Sequence, residues 1–293
     1  MTVHGLDTAA APEAGVAKKM LEDVGGTWWN VYMGGPESSG SGWTPDRLRQ
    51  YKDHGITHFL LTYVGRQGPE QSSLLTFDQG KSDGREACEM AANFGHSAPG
   101  TPVCLDLEGR TFDAAQHASL DYAAGWCHSV RAHGFRPGVY SNPRALIPLH
   151  DRDNKPDWIW VAAWIMHKAD PTIDPHAVTD IPGHLWKERG QRAWQYAGSF
   201  NDVTCSVRGI AVDINVADSA VLVSSGASTG TTYRSGGGTH PHGTYTVQPG
   251  DTLSGIAAKL NIAGGFEALY QLNRDVIGPN PDVIHPGEVL KLP

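Results

Sequence analysis

The sequence is short of cysteine, of net positive charge and of long apolar runs, and each shortage removes a class of function. Its four cysteines, Cys88, Cys104, Cys127 and Cys205, are scattered, with no Cys-x-x-Cys pair. A zinc or redox motif is therefore not legible, and free core thiols are expected rather than a disulfide. The formal net charge is -8. That argues against a nucleic-acid partner, which selects for a basic face. It also disfavours a non-specific hold on anionic polymers. No stretch approaches the roughly 20 apolar residues of a membrane span. The first fifteen residues carry Asp7 and no basic segment leading into an apolar one, so no signal peptide is expected. The fourteen histidines form no His-x-x-x-His on a helix and no cluster with metal-ligand spacing. No Gly-x-Ser-x-Gly is present, which removes the common serine-hydrolase elbow. Neither a metal nor a cofactor is expected.

What the sequence does contain is organised. Hydrophobic residues make up 40% of the chain, enough for a packed core. Residues 224–243 read SSGASTGTTYRSGGGTHPHG, a composition that keeps no apolar periodicity and reads as a flexible linker. The expected domains are 1–223 and 244–293. The long part alternates short apolar runs with amphipathic stretches. Eight strands are expected at Val3–Asp7, Trp28–Tyr32, His58–Val64, Pro102–Leu107, Arg136–Tyr140, Trp158–Trp164, Arg192–Tyr196 and Gly209–Asp213. Helices are expected at Pro12–Asp23, Thr44–His54, Gly84–Phe94 and Ala114–His133, with Thr44-Pro45 as a start signal and Gly55 and Gly134 as stops. Strand–helix alternation implies a parallel sheet. Eight strands over this length fit a closed (β/α)8 barrel, an α/β fold of typically ~250 residues. An open doubly wound sheet is the rival, and no Gly-rich phosphate loop follows the first strand to support its nucleotide-binding forms.

Side chains alternate along a strand, so strand ends show which residues face the barrel interior. Asp7 ends the first strand. In Val103-Cys104-Leu105-Asp106-Leu107-Glu108, the two leucines share one face and the two acids the other. Asp213 ends the eighth expected strand, facing inward. One such charge could be a structural partner. Four on one rim are hard to explain as structure alone, because a carboxylate among apolar neighbours is costly unless solvated or paired. Glycoside hydrolysis needs one carboxyl group protonated and another ionised, and crowded carboxylates raise one another's pKa. The Cβ atoms of residues 106 and 108 should lie ~6–7 Å apart along the strand, which does not decide between retention and inversion. Tyr32, Tyr63, Tyr140 and Trp164 are assigned inward positions near strand ends, where rings can stack on sugars. Gln195 is placed to meet sugar hydroxyls. Any single aromatic is equally well explained by packing. Trp158 and Trp160 read as deep barrel fillers. Asp78, Asp83 and Glu86 read as a loop and a solvated helix start, and His240 and His242 fall in the linker.

The order Asp106-Leu-Glu108, Gly138-Val-Tyr140-Ser-Asn, Trp160-Val-Ala-Ala-Trp164, Trp194-Gln195-Tyr196 and Val212-Asp213-Ile-Asn resembles the motifs of family 25 lysozymes. That resemblance implies Glu108 as general acid/base and Asp106 as the carboxyl assisting the substrate's acetamido group. Asp7 and Asp213 would complete the acidic pocket. Gly5-Leu-Asp7-Thr-Ala-Ala-Ala-Pro12, Val31-Tyr32-Met-Gly34-Gly35 and Thr62-Tyr63-Val-Gly65-Arg-Gln67 look closer to a related actinobacterial glycoside hydrolase-like family, formerly a domain of unknown function. The lysozyme family's usual opening, Asp followed by Ser and a nearby Gln, is absent. The tail is similar to a LysM module. It opens Tyr245-Thr-Val-Gln-Pro-Gly250-Asp251-Thr252-Leu253, passes Leu272-Asn273 and closes Ile284-His-Pro-Gly287-Glu-Val-Leu290. The residues fit a strand Thr244–Val247, a helix capped by Asp251 or Thr252, a second helix near Phe266–Asn273 and a returning strand Glu288–Leu292. The resemblance places the sugar between two loops, here Gly250, Asp251, Thr252 and Leu253 on one side and Asn280, Pro281, Asp282 and Ile284 on the other.

The expectation is therefore a peptidoglycan-directed glycosidase, lysozyme- or muramidase-like, anchored to the wall by LysM. Its partner would be peptidoglycan or another N-acetylglucosamine-containing glycan, with no nucleic acid and no membrane span. Made in the cytoplasm without a signal peptide, it would reach the wall by lysis or injection, as a phage endolysin or the cargo of a phage-like device. The alternatives are a non-catalytic wall-binding protein and a chitinase-type enzyme.

Overall fold

The computed structural model describes residues 2–38, 42–67, 69–108, 116–150, 152–164, 181, 191–198, 205–224, 244–248, 251–259, 265–278, 280–281 and 283–292. They form two compact units, one ending in the described residues at 224 and the other beginning at 244. Residues 225–243, which hold nearly all of the expected linker, lie outside the described residues.

The first unit is a closed eight-stranded barrel of the α/β class. Strands β1 (Thr2–Asp7), β2 (Trp28–Gly34), β3 (His58–Val64), β4 (Pro102–Asp106), β5 (Arg136–Ser141), β6 (Trp158–Ala162) and β7 (Arg192–Ala197) pair in sequence, all parallel. The eighth expected strand is corrected. Residues 206–211 form a small hairpin, β8 (Ser206–Val207) with β9 (Ile210–Ala211). The closing strand is β10 (Asp213–Asp218), and it runs antiparallel to both β7 and β1. Side chains alternate along Asp-Ile-Asn-Val-Ala-Asp, so Ile214 and Val216 reach the outer core while Asn215 and Ala217 turn inward. Because β10 is reversed, its first residue lies at the rim where the parallel strands end, and Asp213 pairs in register with Asp7.

The barrel interior below that rim is solid. Trp28, Trp158 and Trp160 pack there with Leu60, Cys104, Ala193 and Ala217, as expected for Trp158 and Trp160. Glycines opposite the rings make the space. A Cβ on Gly5 would lie 2.2 Å from the Trp28 ring, and one on Gly138 would lie 2.1 Å from the Trp158 ring. The indole N–H groups of Trp28 and Trp158 donate to the carbonyls of Val3 and Arg136, so neither ring buries an unpaired donor. After β10 a turn, Ser219–Val221, seats Val221 and Leu222 in this interior cluster. The Arg136 guanidinium holds it through the Ala220 carbonyl at 3.0 Å. β11 (Val223–Ser224) then pairs with the start of β3. That end is closed, which leaves the C-terminal rim as the place for a site.

Helices α1 (Ala14–Asp23), α2 (Pro45–Asp53), α3 (Phe77–Asn93), α4 (Gln116–Ala132) and α5 (Pro143–His150) cover the outer face. Thr44 caps α2 by accepting from the Arg47 N–H at 3.0 Å, with Pro45 in the first turn. Gly55 and Gly134 take positive φ of 78° and 81° just past α2 and α4. α3 starts seven residues before the expected Gly84, because Thr76 caps it through the Gln79 N–H. Gly80 and Gly84 weaken the helical signal there, but they let α3 lie directly on α4: a Cβ on Gly80 would meet the Tyr122 carbonyl oxygen at 2.0 Å. All four cysteines are free and buried. Among the described residues no helix is long and apolar enough to cross a membrane.

The second unit pairs β12 (Thr244–Thr246) antiparallel with β13 (Val289–Lys291) around α6 (Leu253–Lys259) and α7 (Gly265–Ile277). Val247, Leu253, Ile256, Ala257, Leu269, Tyr270, Ile277 and Leu290 are its core. Asn273 is buried where α7 departs from helical geometry. It donates to the Leu269 and Lys291 carbonyls at 2.8 Å and accepts from the Lys291 N–H at 2.7 Å, which ties α7 to β13.

Candidate active site

Asp7, Asp106, Glu108 and Asp213 meet at the C-terminal rim of the barrel, and their surroundings differ. Asp7 is 1% exposed. Its Oδ1 accepts from the Tyr32 hydroxyl at 2.9 Å, and its Oδ2 accepts from Asn215 Nδ2 at 2.7 Å and Gln195 Nε2 at 3.3 Å. Burial pushes the Asp7 carboxyl up to about 6, and these three donors oppose that rise. With three hydrogens arriving, Asp7 is built to be an anion.

Asp106 and Glu108 are served differently. Burial first, then the charges of Glu108 and Asp7, hold Asp106 well above the usual carboxylate range, against one side-chain donor, Gln67. Glu108, half-buried at the mouth, is raised by burial and by Asp7, and the Tyr140 hydroxyl opposes that. The phenols of Tyr32 and Tyr140 are driven up by burial and by the surrounding acids, so both stay protonated.

Gln195 links the groups. Its Oε1 accepts from the Tyr140 hydroxyl at 2.9 Å and from Trp164 Nε1 at 3.0 Å. Its Nε2 donates to Asp7 and, at 3.1 Å, to Asp213 Oδ2. This pattern fixes the orientation of the amide. Gln195, expected to meet sugar hydroxyls, is thus buried with both amide ends engaged by the protein. Asn215 is anchored in turn by the Trp160 indole, which donates to its Oδ1 at 2.9 Å. A filler ring therefore holds the residue that holds Asp7.

Of the aromatics assigned to the pocket, Tyr32, Tyr140 and Trp164 reach this network and Tyr63 does not. Tyr63 packs in the outer core and donates to Glu86 Oε2 on α3 at 2.7 Å. The inward place on β3 belongs to Thr62, whose hydroxyl bonds Asn30 Oδ1 inside the barrel. Asp83 is corrected too. It is 3% exposed, and it pairs with Arg66 through two bonds at 2.8 and 3.2 Å. It also accepts from Tyr122 and Gln79. Sequence reasoning gave no role to Gln67 or Asn215. An inward polar residue two positions after Asp213 was the available signal for Asn215, whereas Gln67 lies in a loop, where no periodicity marks it.

In the second unit, Thr252 is the cap of α6, accepting from the Gly255 N–H at 3.0 Å. Asp251 instead braces the turn, with its Oδ2 accepting from the Tyr245 hydroxyl at 2.8 Å and the Gln248 N–H at 2.7 Å. Leu253 is core, and Ile284 is partly buried against the core. The Val283 N–H closes a turn onto the Asn280 carbonyl, with Pro281 between them. Gly250 and Asp282 lie outside the described residues.

Residues 21–217 match the model of a family described as Rv2525c-like, glycoside hydrolase-like domain. The chain belongs to this family. Residues 245–293 match the LysM domain, so the glycoside hydrolase-like barrel is followed by a LysM domain at its C-terminal side. No curated protein matches the sequence. Among solved structures, the barrel is similar to an uncharacterized protein of B. stearothermophilus, with a TM-score of 0.54 at 18% identity, covering 75% of this chain and 97% of that one. That likeness carries the fold. The catalytic domain of endolysin ply40 from bacteriophage P40 of Listeria monocytogenes aligns at TM-score 0.49 and 16% identity, covering 75% of this chain and 95% of that one. The Tat-secreted protein Rv2525c of Mycobacterium tuberculosis aligns at TM-score 0.48 and 16% identity, covering 73% and 93%.

Within this glycoside hydrolase-like barrel, the shared rim of Asp7, Asp106, Glu108 and Asp213 is the feature with chemical capacity. It combines Asp7, which burial raises to about 6 against three protein donors, with two carboxyls, Asp106 and Glu108, that burial also biases toward the protonated form and that have fewer side-chain donors opposing it. Paired environments of that kind are what acid/base work on a glycosidic bond requires.

Proposed function

We propose that the protein is a peptidoglycan-directed glycoside hydrolase whose LysM domain holds it on the wall. A glycoside hydrolase-like domain joined to LysM is the combination of a cell-wall-directed, hydrolase-like protein. The observation that carries the catalytic reading is the division of labour among the four carboxyls at one barrel mouth. Glu108 is the general acid/base. Tyr140 has one hydroxyl hydrogen and two acceptors, Gln195 Oε1 and Glu108. With that hydrogen on Gln195, a protonated Glu108 can donate to the phenol oxygen. Once Glu108 has given its proton to the leaving oxygen, the hydrogen can swing to the new anion. Asp106 assists the acetamido group of the substrate, and Asp7 with Asp213 fixes the amide of Gln195 and the charge of the pocket. Tyr32, Tyr140 and Trp164 give the mouth its aromatic wall for sugar faces. The LysM segments 250–253 and 280–284 hold N-acetylglucosamine units, and tethering raises the local concentration of barrel against polymer. In its narrower form the enzyme is a muramidase acting as an endolysin or an injected wall hydrolase.

The test incubates wild type and Glu108→Gln with purified peptidoglycan from several wall types and with soluble chitin oligomers. New reducing ends from peptidoglycan with wild type, and a loss of at least a hundredfold in the variant, are expected. Equal release by both proteins rejects Glu108 as the acid. Release from chitin alone moves the substrate to the chitinase class. Release from no wall by either protein favours the non-catalytic, wall-binding reading.

A further inference from the structure

The loop that follows β3 does more than connect. The Gly65 N–H donates to the Asp106 carbonyl at 2.8 Å, and a Cβ on Gly65 would lie 2.9 Å from that oxygen, so the backbone passes directly against Asp106. Two residues on, Gln67 Nε2 reaches Asp106 twice, at its carbonyl oxygen (3.2 Å) and at its carboxyl Oδ1 (3.0 Å). Two contacts from one amide nitrogen, one to the main chain and one to the side chain, pin the rotamer of the carboxyl. Between Gly65 and Gln67, Arg66 turns the other way, into the helix layer. It grips Asp83 with a two-bond pair and donates to Gln71 at 2.9 Å. Asp83 also accepts from Gln79 at 2.6 Å and Tyr122 at 2.7 Å. Its carboxylate is therefore saturated, and the knot fastens the loop to α3 and α4 together.

We infer that Gln67, held in register by the pair of Arg66 with the buried Asp83, is a positioning residue for Asp106 that reserves Oδ1 as an acceptor and leaves Oδ2 to carry the exchangeable proton. A carboxyl that receives a hydrogen on one oxygen keeps its own hydrogen on the other. Among the described residues, the ionisable groups around Asp106 are Glu108 on its own segment, Asp7 on β1, Tyr32 on β2, Tyr140 on β5 and Cys104 below it. All are acids, so no cation among them substitutes for the Gln67 donor. The inference rests on the reading of Asp106 as a working carboxyl, but its test needs no turnover.

The full chain, labelled at the aspartate carboxyl carbon, is titrated by NMR, with Asp106 assigned from the signal missing in Asp106→Asn. Loss of one donor to a carboxylate is expected to raise the proton affinity of Asp106 about tenfold in Gln67→Leu. Asp83→Asn, which leaves Gln67 in place but loosens its loop, moves the same signal in the same direction. Asp23→Asn, which breaks the surface pair with Arg208, leaves it unmoved. Should Gln67→Leu fail to fold, Gln67→Met removes the donor with a side chain of similar length. Should the wild-type midpoint lie above pH 10, the same chains are compared on an Asp7→Asn background, which lowers it. An Asp106 signal that titrates identically in wild type and folded Gln67→Leu overturns the inference. A wild type that cleaves no glycan removes the enzymatic reading and leaves this result standing.

Discussion

Asp7 gives a stability measurement with a definite sign. Its carboxyl has an ordinary value of 3.8 and is carried to about 6 by burial. The unfolded chain keeps the ordinary value. Between those limits the folded barrel binds a proton that the unfolded chain has released, so stability falls as pH rises through the window. Below 3.8 both states are protonated and the effect vanishes. Above about 6 it is complete, at roughly 3 kcal/mol, from ~1.4 kcal/mol per pH unit. Asp7→Asn abolishes this titration. The variant also disturbs the bonds from Tyr32, Asn215 and Gln195, but that loss is a constant offset with little dependence on pH. Removing the charge relieves Asp106 and Glu108 as well, which acts in the same direction. The stability of wild type relative to Asp7→Asn should therefore drop by about 2 kcal/mol between pH 4 and pH 7. Urea unfolding followed by tryptophan fluorescence reads this cleanly, because all nine tryptophans fall between Trp28 and Trp194 and report only on the barrel. A difference that stays constant from pH 4 to pH 7 refutes an Asp7 carboxyl raised by burial.

Three further outcomes follow from the same contacts. Gly138→Ala drives a methyl into the Trp158 ring and should cost about 1–3 kcal/mol in the fluorescence-detected transition, while Gly55→Ala, with open space around it, costs about 1 kcal/mol through backbone strain alone. Tyr140→Phe removes the hydroxyl that opposes the rise of Glu108, so the alkaline limb of any hydrolysis profile should move to higher pH while the rate falls about tenfold. Asn273→Ala deletes two bonds between α7 and β13 and one within α7, and should lower the stability of the LysM unit by about 2–4 kcal/mol, read by amide hydrogen exchange in that unit and by weaker retention on insoluble peptidoglycan.

The strands were legible because their outer faces are apolar at period two, and Asp7, Asp106 and Glu108 were legible because each stands at the inward phase of such a run, whereas Asp213 was picked from a run that is not the closing strand. The closing strand was misread for a physical reason. In Gly209–Asp213 the apolar residues belong to a hairpin, while the true strand buries Asn215 and turns it, with the half-buried Asp213, toward a polar network. A strand whose inward face is polar looks from sequence like one facing solvent. Tyr63 shows the converse: an aromatic beside Thr62 fits either face, and only the pairing of Thr62 with Asn30 decides the phase. Asp83 was hidden because its partners, Arg66 and Tyr122, come from distant segments, and a lone acid near a helix start reads as solvated. Loop residues such as Gln67 carry no phase at all. In the C-terminal unit the turn and cap signals sufficed, since each bond they make is local.

The most direct measurement is a crystal structure of Glu108→Gln with a soluble N-acetylglucosamine-containing wall fragment. The account predicts a sugar at the barrel mouth, with the bridging oxygen within hydrogen-bond reach of residue 108 and the acetamido group beside Asp106. A fragment found only on the LysM unit, with Asp7, Asp106 and Asp213 unchanged and the mouth untouched at saturating concentration, would contradict it.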